Sequence, residues 1–112
     1  MRHISQGKSS LGIEANIAAL LSYFLGLVSG VIIYALEKNS KFVRFHAMQS
    51  MVVFACFFIL GVLLKILPII GWPLLMLLGM AQVLLWIILM IKAYKGEYFK
   101  LPFAGDIAER RV

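Results

Sequence analysis

Charge is what this sequence lacks over most of its length. Only 14% of its residues are charged, against about 25% in soluble domains. All of them fall in residues 1–14, 37–44, position 65 and residues 92–112. The runs Ala15–Leu36, Phe45–Leu64 and Ile66–Ile91 carry none. Acids are absent from these runs, so no intramembrane carboxylate marks a proton relay. Cysteine is reduced to Cys56, which excludes an internal disulfide and reads as a small buried apolar residue. The two histidines are His3 and His46. No low-complexity tract, long linker, internal repeat or phosphate-binding glycine loop occurs.

What is present is apolar surface, 62% of 112 residues. A small soluble fold buries only part of its surface and could not hide so much. About 20 helical residues cross a hydrocarbon core of about 30 Å, and each uncharged run is long enough. Ala15–Leu36 holds eleven Leu, Ile, Val or Phe residues, each favourable by about 0.3–0.6 kcal/mol near a helix centre. The run is too long for a signal core and lacks a small-residue cleavage pattern after it. The sequence therefore predicts an all-α membrane protein, a bundle of three transmembrane helices at about 15–36, 42–64 and 73–95. A polar head, 1–14, precedes the bundle and a tail, 96–112, follows it.

Local signals set the boundaries. The loop Glu37–Ser40 is short, so the first two helices form a tight antiparallel pair, with Ser40 an N-cap for the second. Pro68, Gly71 and Pro73 interrupt the chain after Lys65, which can snorkel to the interface. Trp72 suits headgroup depth. Pro73 fits a first helical turn and Gly96 a stop. Asp106 and Glu109 have capping-box spacing, which predicts a brief surface helix in the tail.

The net charge of +6 is split among short loops and tails, so it reads as topology and not as a nucleic-acid surface. With three spans, Arg2, Lys8 and Lys65 share one side. Lys38, Lys41, Arg44, Lys92, Lys95, Lys100, Arg110 and Arg111 share the other. Eight against three places the N-terminus outside and the C-terminus in the cytoplasm of a cell-membrane protein. His3 and His46 then lie on opposite sides and cannot ligate one metal. No hydroxyl, thiol or amine has an evident base beside it. The expectation is a protein that is not an enzyme and needs no cofactor or metal.

Packing chemistry supplies the candidates. Ala18, Ser22, Gly26 and Gly30 recur every four residues and form a stripe that lets a helix approach closely. The stripe joins either subunits or helices within one protomer. His46, Gln49 and Ser50 share a helical face beside Arg44. They either hold the tail and neighbouring helix ends or line the mouth of a path. Gln82 lies near the middle of its span, and an amide in hydrocarbon needs a partner helix or water.

The stretch Phe42-Val43-Arg44-Phe45-His46-Ala47-Met48-Gln49-Ser50 resembles a family of small prokaryotic multi-pass membrane proteins classed as uncharacterised. That family is distantly similar to the Tic-twenty subunit of the chloroplast inner-envelope import translocon. The resemblance extends over Leu36–Ser40, Leu67–Trp72, Met90–Tyr94 and Lys100–Glu109, and over Ser10–Asn16 in the head. It implies a multi-pass protein of the cell membrane with no catalytic residues to carry over. The translocon subunit has four spans where this sequence reads as three. Two functions follow as expectations. One is a homo-oligomeric transport or translocation component in the bilayer. The other is a non-conducting accessory protein that binds another membrane complex through its loop and a tail surface of Leu101, Pro102, Gly105, Asp106 and Glu109.

Overall fold

The computed structural model describes residues 6–111, so Arg2 and His3 lie outside the described residues. Five helices follow one another: α1 Ala15–Phe24, α2 Leu27–Leu36, α3 Lys41–Lys65, α4 Gly71–Tyr94 and α5 Ala104–Arg110. With 25 and 24 residues, α3 and α4 each reach about 36 Å, enough to span a bilayer core of about 30 Å. Ser40 caps α3, its side chain accepting from the Val43 N–H at 3.3 Å. Gly96, at φ +81°, ends α4. Between them the chain turns tightly enough that a Cβ on Gly71 would fall on the Leu64 carbonyl.

The first apolar run departs from expectation. It is not one helix over 15–36 but two of 10 residues each, about 15 Å apiece and so half the depth of the hydrocarbon. The break is at Leu25-Gly26, where Gly26 takes φ +63°, a conformation that L side chains rarely adopt. The chain then doubles back. Ser10 Oγ donates to the Glu37 carboxylate at 2.7 Å, and the Lys38 N–H donates to Ser10 Oγ at 3.0 Å. A continuous helix over the same residues would hold those ends about 33 Å apart.

This fold-back corrects the topology. Asn16 Nδ2 donates to the Tyr94 carbonyl at 2.9 Å and Gln6 Nε2 to the Gly96 carbonyl at 2.6 Å. The head, the 37–40 loop and the end of α4 therefore lie at one end of the molecule, and Lys65 at the other. The described architecture is two full-length antiparallel helices with a half-depth hairpin, α1–α2, against them. Among the described residues two helices, not the expected three, are long and apolar enough to span, and the described parts of the head and of the tail meet at the same end of the molecule. The physical reason is that length and hydropathy are the same for one full span and for two half-depth helices joined at a glycine.

The hairpin packs through small residues. Ala15, Ala18, Ala19 and Ser22 of α1 are fully buried, the alanines in one core cluster with Phe42 and Val43 of α3 and Leu89 and Ala93 of α4. On α2, Gly30 lies so close to α3 that a Cβ there would sit 3.0 Å from the Ala47 carbonyl. The tail closes the same end. Helix α5 packs on α3, with Ala104, Gly105 and Ala108 buried. Its start corrects the capping-box expectation. The helix begins at Ala104 after Phe103, with no side-chain cap, and Asp106 and Glu109 instead face Lys100 at 3.9 and 2.9 Å.

Candidate functional site

The α1–α2 tip is irregular backbone packed between the two long apolar helices, and in apolar surroundings an unpaired N–H or C=O costs several kcal/mol. Side chains supply the missing partners. Trp86 Nε1 of α4 donates to the Tyr23 carbonyl at 2.7 Å, and Ser50 Oγ of α3 donates to the Gly26 carbonyl at 2.9 Å. Ser29 Oγ donates to the Ser22 carbonyl and accepts from the Leu25 N–H, both at 3.0 Å. The break is thus held from three sides, by α2, α3 and α4.

Beside it lies a buried polar cluster. Tyr23, His46 and Gln49 have no solvent exposure. His46 Nε2 is 2.8 Å from the Glu97 carbonyl. A carbonyl only accepts, so that nitrogen carries the proton and Nδ1 is the acceptor. The Tyr23 hydroxyl, 2.7 Å from Nδ1, is then the donor. Gln49 Nε2 donates to the Tyr23 oxygen at 2.9 Å and to the Phe99 carbonyl at 2.8 Å, while Gln49 Oε1 accepts from the Leu101 N–H at 3.0 Å. Phe42 and Phe45 meet the imidazole edge-on at centroid distances of 4.6 and 5.2 Å. Every polar atom of the three side chains is engaged, and among the described residues no buried side-chain nitrogen or oxygen lacks a partner. The chemistry of such a closed set is cohesion. It ties α1, α3 and the stretch of chain at 97–101 into one unit.

A second network lies at the charged end. Glu37, fully buried, accepts from the N–H groups of Ser10, Asn39 and Ser40 and from the Ser10 hydroxyl. Burial opposes its ionisation, but the hydrogen bonds from Ser40, Ser10 and Asn39 outweigh it and hold its carboxyl below the usual range. Arg44 closes the end of α2. Its guanidinium donates to the carbonyls of Tyr34 and Glu37 at 3.2 and 2.8 Å and lies 4.1 Å from the Tyr34 ring centroid. A cation there complements the helix C-terminus. In the tail, the bond from Glu109 and its charge hold the Lys100 ammonium above its usual range.

The predicted residues are therefore distributed as follows. Ala18, Ser22, Gly26 and Gly30 face inward, between helices of one protomer. His46, Gln49 and Ser50 sit together, bonded to the 97–101 segment and the hairpin tip, with Arg44 one turn away. Of the tail residues, Gly105 is buried where a Cβ would sit 2.7 Å from Lys100 Cβ, Leu101 is bonded to Gln49, and Pro102, Asp106 and Glu109 are exposed. Gln82 stands apart from all of them, lining a cleft of about 650 Å³ with Phe24, Gly26, Phe54, Gly79 and Trp86. Sequence reasoning missed Tyr23, Trp86 and Glu37 as parts of the networks. Tyr23 is a polar group within the first apolar run and Glu37 one at its end, but only the fold-back shows what they bind.

A helical bundle with such apolar outer faces and an internally bonded hairpin has the character of a membrane protein. The chain belongs to the magnetosome magnetite crystal formation protein family (MamF/MmsF), whose model matches residues 8–108. It is also similar to archaeal membrane proteins named UPF0132. One from Methanocaldococcus jannaschii is 50% identical over 107 residues, 96% of each chain. One from Archaeoglobus fulgidus is 43% identical over 99 residues, 88% of this chain and 96% of the relative. A second from Methanocaldococcus jannaschii is 45% identical over 101 residues, 90% of this chain and 72% of the relative. No solved structure matches it.

Proposed function

We propose that the protein lies in the cell membrane with two spans and a half-depth hairpin, both termini in the cytoplasm, and acts as a non-conducting, non-enzymatic scaffold. The observation that carries this reading is the closed cluster of Tyr23, His46 and Gln49. Of the polar side chains that could line a path, His46, Gln49 and Ser50 are bonded to backbone or to Tyr23 within one protomer, which leaves Gln82 alone in the cleft. The surface left for partners is the charged end: the 37–40 loop and the exposed part of the tail at Pro102, Asp106 and Glu109.

Charge supports the orientation. Of the described Lys and Arg residues, nine lie at the end that holds the head, the first loop and the tail, and Lys65 alone lies at the other. The positive-inside rule then assigns the nine to the cytoplasm, where they also face anionic headgroups. A scaffold on that surface is compatible with the family's description, which speaks of crystal formation. The translocon-like conducting role suggested by the sequence resemblance would need a polar route that these bonded side chains do not offer.

The test uses single cysteines at Lys8 and Arg110 in a Cys56→Ser background. With a membrane-impermeant maleimide, both positions should react in inside-out vesicles and neither in right-side-out ones. Labelling from opposite sides would overturn the orientation. Reconstituted protein should pass no steady current across a planar bilayer, and a reproducible unitary conductance would overturn the scaffold reading.

A further inference from the structure

We propose that two copies of this chain pair in the membrane through the Gly79–Gln82–Trp86 face of α4, with the two Gln82 amides bonded to each other. Gln82 is the twelfth residue of the 24 in α4, so it sits at the bilayer midplane if α4 spans. It makes no hydrogen bond to any described residue. Its side chain lines the cleft beside the hairpin tip, whose other walls are Phe24, Leu25, Phe54, Phe57 and Trp86. A primary amide carries two donors and an acceptor, and at that depth there is no bulk water to satisfy them.

The surroundings select the occupant. A lipid chain fills apolar space but cannot bond an amide. A polar small molecule would find one amide among aromatic and aliphatic walls. A second copy offers both an apolar helix face and an amide at the matching position. Copies of a membrane protein share one orientation, so a pair is related by an axis along the membrane normal. Each residue then meets the partner's residues at its own depth. Gln82 meets the partner's amide, and because an amide is its own complement the two can exchange N–H···O=C bonds. The backbone at Gly79 leaves room for the approach. A Cβ at Gly79, one turn away on the same face, would have no atom within 4 Å. Neighbouring Val83 is 52% exposed. The small-residue stripe that the sequence offered as a subunit interface is occupied within the protomer, whereas the Gly79–Val83 part of α4 has no helix packed over it on the cleft side.

The pairing rests on the two-span reading for the depth of Gln82, and the maleimide experiment tests that reading separately. The experiment is subunit counting by single-molecule photobleaching of the full chain in liposomes, over a range of protein-to-lipid ratios. Dimers are expected, and Gln82→Leu should raise the dissociation constant about tenfold, the scale of a pair of interhelical hydrogen bonds in a bilayer. Leucine is compatible with lipid at that site, so the variant should fold. In a Cys56→Ser background, Gln82→Cys should form an intermolecular disulfide on oxidation. Leu77→Cys, on the far side of the helix, should not. A monomer at every ratio, a dimer that Gln82→Leu leaves unchanged, or cross-linking at position 77 in place of 82 would each overturn the proposal.

Discussion

The two halves of the long helices live in different surroundings. Near the charged end, α3 is covered by α1, α2 and α5, and Phe42, Val43, Phe45, His46, Ala47, Gln49 and Ser50 are buried. Toward the Lys65 turn, α3 and α4 have only each other, and Phe58, Leu63, Ile69 and Trp72 are 71%, 55%, 85% and 73% exposed. Between helices in a bilayer there is no hydrophobic drive, because lipid tails are as apolar as leucine. Stability must come from close packing and hydrogen bonds, and both are concentrated in the covered half. The bare half needs only to be apolar. Substitutions should therefore be felt strongly in one half and weakly in the other.

The largest effect is expected from Gln49→Leu. It strands the Phe99 carbonyl and the Leu101 N–H, at about 1–3 kcal/mol for each buried group left unpaired. The 97–111 segment should loosen, seen as faster cleavage by a protease added to the charged side and as earlier unfolding in a detergent titration. Next is Gly30→Val. A Cβ at that position would stand 3.0 Å from the Ala47 carbonyl and 3.1 Å from Ser50 Cβ, so overpacking should cost about 1–3 kcal/mol. Its counterpart in the bare half, Gly61→Ala, meets only Leu78 at 4.0 Å. It should be neutral or stabilising by up to about 1 kcal/mol, the helical gain of alanine over glycine. Equal losses at the two glycines would break the comparison.

Smaller is Trp86→Phe, which keeps an aromatic ring but removes the N–H bonded to the Tyr23 carbonyl at 2.7 Å. A loss of about 1 kcal/mol is expected, with amide exchange rising at residues 24–26. The mildest perturbation is acid. Since the folded Glu37 carboxyl is held below its usual range, its contribution is present above the unfolded value of about 4.3. It is lost as pH falls through the folded value. Unfolding titrations should be flat from neutral pH to about 5 and shift to lower detergent below that. Glu37→Gln should remove that slope.

Much of this was legible in the sequence. The uncharged runs marked the two long helices, and Ser40 and Gly96 marked ends by mechanisms the structure repeats. The hairpin was not legible from hydropathy, because a run of 22 uncharged, mostly apolar residues reads alike as one span or as two helices of half the length. No proline marks the break, and glycine is tolerated inside membrane helices. The available signal was charge. With the first run folded back, every described Lys and Arg but Lys65 lies at one end of the molecule, a sharper asymmetry than the eight against three of the three-span count. Ser22 and Ser29 around Gly26 were a second hint, since broken backbone in a membrane needs nearby donors. The partners of His46 and Gln49 were out of reach, because they are backbone groups at 97–101 placed by tertiary folding alone.

The central claim is that the first apolar run turns back at Gly26, and one distance decides it. Spin labels at Lys8 and Lys38, on cysteines introduced in a Cys56→Ser background and read by pulsed dipolar spectroscopy in lipid, flank that run on either side. A folded-back hairpin predicts a separation under about 20 Å, given that Ser10 is bonded to both Glu37 and Lys38. A separation of about 33 Å or more, the length of an unbroken helix over the same run, would contradict it.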